Sequence, residues 1–212
     1  MQNDRSELLV EVAGYYATKL AAYGETARGV DWSSEAGQHL RFEQLCRIVN
    51  EGADGFSLND LGCGYGALLD FLSGRYTRVS YLGVDVSEEM IQAACARHQG
   101  RAEGRFIFAA RPDAPADYGI ASGIFNVRLD RTNTEWQNYL QTTLDVLHET
   151  SRQGFAFNCL TSYSDADKMR SDLYYADPCE LFDLCKRRYA RNVALLHDYG
   201  LYEFTILVRK DS

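Results

Sequence analysis

No run of apolar residues approaches the roughly 18 to 20 needed to cross a bilayer. The opening Met1-Gln2-Asn3-Asp4-Arg5-Ser6-Glu7 lacks the basic region and apolar core of a signal peptide. A cytoplasmic protein with no membrane partner is therefore the expectation. Basic charge is scarce as well: 22 Lys and Arg stand against 30 Asp and Glu, a formal net charge of −8. Nucleic-acid binding rests on clustered Lys and Arg, so this balance argues against a nucleic-acid partner. The six cysteines, at positions 46, 63, 95, 159, 179 and 185, contain no CxxC pair and no regular spacing. They read as buried, reduced thiols, and no metal site is expected from them. No repeat, linker or low-complexity tract divides the chain. Its 212 residues suit one α/β domain and are short for two.

What is present is a helical opening followed by alternating strands and helices. Leu8, Val12, Tyr15, Tyr16, Lys19, Leu20 and Tyr23 recur at spacings of three and four, which predicts an amphipathic helix over 7–23. Gly24 breaks it, and Ser33 or Ser34 caps a second helix running to about residue 49. Residues 1–50 thus form a helical cap on a core spanning 56–210. Strands are expected over 56–61, 81–86, 105–109, 118–127 and 155–160. Between and after them come helices over 67–72, 87–98 and 135–149, and one started by Asp177 and Pro178. Such alternation implies βαβ units in a doubly wound, mainly parallel sheet. The last two strands, over 193–197 and 202–208, are joined by only four residues. That is too short for a parallel crossover, so they must form an antiparallel hairpin. The expected fold is α/β, a seven-stranded sheet with a reversed C-terminal strand and added N-terminal helices.

The first strand runs into Asp60-Leu61-Gly62-Cys63-Gly64-Tyr65-Gly66. Glycines between a strand and a helix let backbone approach a nucleotide where Cβ atoms would block it. With Ala67 the same segment satisfies the dinucleotide pattern G-x-G-x-x-G/A, so glycine spacing leaves two cofactor classes open. Charge favours one of them. Asp60 is expected at the mouth of the site, where its carboxylate disfavours a diphosphate at the helix N-terminus and attracts a sulfonium and an ammonium. Asp85 ends the second strand, 23 residues after Gly62. A carboxylate there accepts both hydroxyls of a ribose, which either cofactor carries.

Asn59-Asp60-Leu61-Gly62-Cys63-Gly64-Tyr65-Gly66, Gly83-Val84-Asp85-Val86-Ser87 and the terminal hairpin together resemble the class I S-adenosylmethionine-dependent methyltransferases. The resemblance covers roughly 56–210. It implies a Rossmann-like core, S-adenosylmethionine as cofactor, and cofactor contacts from Asp60, Gly62, Cys63, Gly64, Gly66, Asp85, Val86 and Asn126. The family often has an acidic residue after the third strand for the adenine amine. Here Phe108-Ala109-Ala110-Arg111-Pro112-Asp113 offers only Asp113, late in the turn. The Asn-Pro-Pro-Tyr signature for methylating planar nitrogens is absent after the fourth strand, which weakens a DNA-adenine or glutamine acceptor.

Ligands in such sheets bind beyond the carboxyl ends of the strands. The fourth strand leads there to Arg128 and Arg131, the fifth to Tyr163 and the sixth to His197. His197 is the candidate general base or substrate contact. Tyr16, Lys19 and Trp32 are expected to close the pocket from the N-terminus, and residues 161–177, with Arg170, to form a lid. Arg128, Arg131 and Arg170 suggest an anionic group on the acceptor. The resulting expectation is an enzyme methylating oxygen or nitrogen of a small, anionic or sugar-like metabolite. A protein acceptor, a non-catalytic S-adenosylmethionine-binding regulator and an NAD-dependent oxidoreductase are its rivals.

Overall fold

A computed structural model describes residues 2–53 and 55–211, with side chains in the first helix described from Glu7 onward. The cap consists of α1 (Gln2–Tyr23), a 3-10 turn (Ala27–Val30) and α2 (Glu35–Cys46), which Ser34 caps by accepting from the Gly37 N–H. The core follows in the order β1 (Phe56–Leu61), α3 (Ala67–Ser73), β2 (Val79–Asp85), α4 (Glu88–Arg97), β3 (Gly104–Phe108) and β4 (Ala116–Ala121). It continues with α5 (Asn133–Glu149), β5 (Ser151–Thr161), β6 (Tyr175–Ala176), α6 (Pro178–Arg188), β7 (Asn192–Leu196) and β8 (Glu203–Arg209). Local chemistry accounts for the helix starts. Ser87 caps α4, Thr132 and Glu135 form a reciprocal capping box on α5, and Asp177 caps α6 with Pro178 at its first position.

The strands lie in the order β3-β2-β1-β4-β5-β8-β7, with the two-residue β6 paired to the end of β5. Pairing is parallel except at β8, which runs antiparallel to both β5 and β7. The chain leaves β1 towards β2 and later returns on the other side as β4. The switch point, where an open α/β sheet forms its crevice, therefore lies between β1 and β4.

Side-chain alternation divides the core into two layers. Leu61, Phe155, Phe157 and Phe204 pack with α1, α5 and α6 on one face. Leu58, Tyr118, Ile120 and Ala156 pack with α2 and α3 on the other. Asp60, Asn158 and Glu203 share the second face by the same period of two, and all three are almost fully buried.

Three expectations are corrected. β4 ends at Ala121 instead of 127, because Gly123 turns the chain with φ +77. β6 was not foreseen, since two residues carry no periodicity. Of the six cysteines, Cys95 and Cys179 are exposed, lying on helix surfaces.

Candidate active site

The loop after β1 is pinned to β2 by backbone bonds: Val84 O accepts from Gly62 N at 2.7 Å and from Cys63 N at 3.1 Å. Gly62 has φ +77, and a Cβ there would overlap the Ile124 side chain. Only glycine suits that conformation and that approach. The Asp85 carboxylate accepts from Gly64 N at 2.8 Å and from Ser87 N at 2.9 Å. It thereby ties the loop to the start of α4. Burial pushes its pKa up, opposed by those backbone donors.

Two adjoining chambers lie against this loop. The larger, about 760 Å³ and partly open to solvent, is bounded by Asp85, Val86, Met90, Ala110, Ile124 and Tyr139, with Leu9, Val12 and Tyr16 of α1 above. The smaller, about 330 Å³, is bounded by Asp60, Gln38, Phe42 and Tyr65. Val30, Trp32, Gly62, Gly64 and Ser122 line both and so mark the junction.

Asp60 is 2% exposed, not at the mouth of the site as its position in the sequence suggested. It faces α2 across the inner chamber, and Tyr81 Oη donates to it at 2.6 Å. Burial pushes its carboxyl up to about 7 against the Tyr81 hydrogen bond, with the charge of Asp85 adding to the rise. Burial also drives the Tyr16 phenol far above its ordinary range, reinforced by Asp31 and Asp85, so Tyr16 presents a neutral hydroxyl.

The predicted site residues divide. Asp60, Gly62, Gly64, Asp85, Val86, Tyr16 and Trp32 line the chambers. Cys63 borders the inner chamber, but its Sγ is turned towards Gly83 of β2. Gly66 lies outside both chambers and accommodates the His98 ring, whose Nε2 meets Gly66 O at 3.0 Å. Asn126 is also outside: its Oδ1 accepts from Leu160 N and its carbonyl from Tyr174 N, which braces the β4 turn against β5. Lys19 is bound to Asp31 at 2.6 Å, and Asp31 also accepts from Tyr15 Oη. Arg128 donates to the carbonyls of Arg131 and Ser171, Arg131 pairs with Glu11, and Arg170 pairs with Asp172. None of these four cations lines either chamber. Tyr163 and His197 are exposed beyond the chambers and contact each other, ring centroids 5.9 Å apart. His197 follows edge strand β7, three strands from β4. Asp113 pairs with Arg105 on the surface instead of reaching an adenine.

Ser122 was missed. Its Oγ is buried without a hydrogen-bond partner at the junction of the chambers. The overlong prediction for the fourth strand hid it inside a strand; a stop at Gly123 would have exposed it. Leu9 and Val12 were missed as pocket residues, although they share a helix face with Tyr16.

The family profile described as methyltransferase domain matches residues 59–152. Rv1506c of Mycobacterium tuberculosis, which carries a methyltransferase designation, is 68% identical over 166 residues, 78% of this chain and 99% of that relative. The chain belongs to the class I methyltransferase family, whose cofactor is S-adenosylmethionine. Among solved structures, DhpI in complex with SAM and HEP superposes on this methyltransferase with a TM-score of 0.67 at 16% identity, covering 95% of this chain and 98% of DhpI. Magnesium protoporphyrin IX methyltransferase of Synechocystis with bound SAH gives 0.63 at 12% identity, covering 83% and 84%. At such identities the likeness is one of fold.

The donor set suits this cofactor. Among the described residues the only charged side chains lining the methyltransferase's chambers are Asp60 and Asp85. Two carboxylates complement a sulfonium, an ammonium and a ribose, and would repel a diphosphate. The space that a Cβ would take on Gly62 and Gly64 is occupied by the Ile124 and Val30 side chains, so neither position has room for a side chain.

Proposed function

We propose that this enzyme methylates an oxygen or nitrogen of a small molecule. In this reading Asp85 accepts the cofactor's ribose hydroxyls, Gly62 and Gly64 give its chain close access to backbone, and Asp60 offsets its positive charge. The bound cofactor supplies an electrophilic methyl on a sulfonium. The observation that carries the reading is a buried carboxylate, Asp60, and a half-buried one, Asp85, as the charged lining of two adjoining chambers around the glycine loop.

The residues' own contribution is mainly geometric. Tyr16 and Trp32 wall the larger chamber with neutral aromatic surface, and α1 covers it, which limits water. Holding nucleophile and methyl in line removes much of the entropic barrier. Among the described residues no histidine, lysine or glutamate lines either chamber, and the two aspartates that do, Asp60 and Asp85, are assigned here to the cofactor. An acceptor already nucleophilic near neutral pH, such as an amine or an acidic hydroxyl, therefore fits better than an unactivated alcohol. A small acceptor is supported by the cover that α1 places over the larger chamber. An anionic one loses its support because Arg128, Arg131 and Arg170 are directed to other partners.

The test is calorimetric titration with S-adenosylmethionine, S-adenosylhomocysteine and NAD, followed by product analysis with pools of small amines and phenols. Micromolar binding of the first two and formation of S-adenosylhomocysteine are expected. Binding of NAD alone would overturn the reading; binding without turnover on any acceptor would favour a regulatory module.

A further inference from the structure

Five groups from five segments form a closed circuit beside the junction. Arg41 of α2 makes two bonds to Glu203 of β8, Nε to Oε2 at 2.8 Å and Nη2 to Oε1 at 2.5 Å. Glu203 Oε2 also accepts from Asn158 Nδ2 of β5 at 2.6 Å. Asn158 Oδ1 in turn accepts from Gly123 N at 2.8 Å. A Cβ on Gly123 would overlap the Trp32 indole, so that ring lies directly on the glycine. The Arg41 guanidinium closes the circuit by stacking over Trp32 at 3.9 Å. Arg41 and Glu203 are 7% and 1% exposed, so the pair is dry.

A buried ion pair gives little net stability, because desolvation offsets its attraction. What it does supply is direction: the planar guanidinium fork fixes both the carboxylate and the stacked ring. Trp32 stands in a loop between a 3-10 turn and α2, where its backbone is tied by Trp32 N donating to Ala27 O at 2.8 Å and its indole direction is left to the circuit. Yet Trp32 and Ser122, the residue before Gly123, line both chambers. The circuit therefore holds two of the residues that stand between the Asp85 chamber and the Asp60 chamber.

We infer that Arg41, Glu203 and Asn158 are positioning residues for methyl transfer, clamping Trp32 onto Gly123 so that Trp32 and Ser122 frame the junction where cofactor and acceptor meet. The inference rests on the cofactor site proposed above. Arg41 does not itself line either chamber; it acts through Trp32.

The chain has two tryptophans, and a Trp136→Phe background leaves Trp32 as the sole indole reporter. In that background Glu203→Gln and Arg41→Lys should each raise acrylamide quenching of Trp32 and weaken S-adenosylhomocysteine binding about tenfold, equivalent to roughly 1.4 kcal/mol. The double variant Arg41→Met/Glu203→Leu removes both charges together, an exchange that buried pairs often tolerate. It should fold, as judged by circular dichroism, and show the same two changes. Leu147→Ala, a core truncation in α5 on the opposite face of the sheet, should lower the melting temperature while leaving quenching and affinity at the parent's values. Unaltered Trp32 quenching and affinity in the folded double variant would overturn the clamp, as would equal changes in Leu147→Ala. A parent that binds no S-adenosylhomocysteine would refute the cofactor site separately, with Trp32 quenching still deciding whether the clamp exists.

Discussion

Asp60 is a carboxyl whose charge the cofactor would need and the empty chamber resists. Burial holds it at about 7, so roughly one tenth is ionised at pH 6 and nine tenths at pH 8. A ligand that binds only the ionised form should gain about tenfold in affinity across that interval. Stability should move the opposite way. An unfolded Asp titrates at 3.8, so between that value and about 7 the folded chain holds a proton that the unfolded chain lacks. Stability from this group is full below the unfolded value and is lost as pH rises through the folded one. Three pKa units correspond to an upper limit of about 4 kcal/mol. The assay is calorimetry with S-adenosylmethionine from pH 6 to 8 on wild type and Asp60→Asn, together with urea unfolding at pH 5 and pH 8. Titration of the ligand's own amine affects both proteins, so the ratio of their affinities isolates Asp60. That ratio should change about tenfold in favour of wild type as pH rises, and Asp60→Asn should be the more stable protein at pH 8. A ratio that does not vary with pH would refute the assignment of Asp60 to the cofactor's positive end. Equal stability at pH 8 would refute the raised pKa.

Asp85→Ala should weaken S-adenosylhomocysteine binding by at least about 100-fold, since two hydrogen bonds to a charged acceptor contribute roughly 1.5–3 kcal/mol each; a calorimetric loss below tenfold would count against ribose binding. Gly62→Ala should cost about 2–4 kcal/mol in urea unfolding, from the left-handed backbone and the overlap with Ile124, and adding Ile124→Ala should recover part of it; an unchanged Gly62→Ala protein would contradict the packing. His197→Ala should leave S-adenosylhomocysteine affinity unchanged, because β7 is three strand spacings, on the order of 14 Å, from β4; a loss above threefold would return His197 to the site.

The parts of this molecule legible in the sequence are those governed by local rules. Helix starts at Ser34, Ser87 and Asp177, the glycine turn after Leu61, and the forced hairpin at the C-terminus each follow from a handful of neighbouring residues. Asp85 and Trp32 were also legible, the first from strand-end spacing and the second from an aromatic in the cap loop. Side-chain destinations across the fold were not. Asp60 reads as a residue at the mouth because the loop follows it at once, yet the strand's period of two turns it inward under α2. Arg128 and Arg170 read as an anion grip because strand ends face ligands. Their partners, Ser171 O and Asp172, are supplied by a connection whose path has no periodic signal. The Arg41–Glu203 pair joins residues 162 positions apart, beyond any local inference.

The distribution of charge bears on the acceptor. The excess of acid over base in the composition suggests little about a site, but its placement does. Two carboxylates face the chambers, while the cations around them are each committed elsewhere: Lys19 to Asp31, Arg41 to Glu203, Arg131 to Glu11 and Arg170 to Asp172. Recruiting any of these arginines or this lysine to an acceptor's carboxylate or phosphate would first break an ion pair. For the buried Arg41–Glu203 pair that would leave an uncompensated charge at a cost of about 3–5 kcal/mol. The positive centre of the cofactor meets no such obstacle. A neutral or cationic nucleophile meets a lining of Tyr16, Trp32 and Ile124 that repels neither. On the proposed reading, the same acidity that favours the sulfonium disfavours acceptors that carry a carboxylate or phosphate, through fixed side chains instead of a dedicated specificity loop.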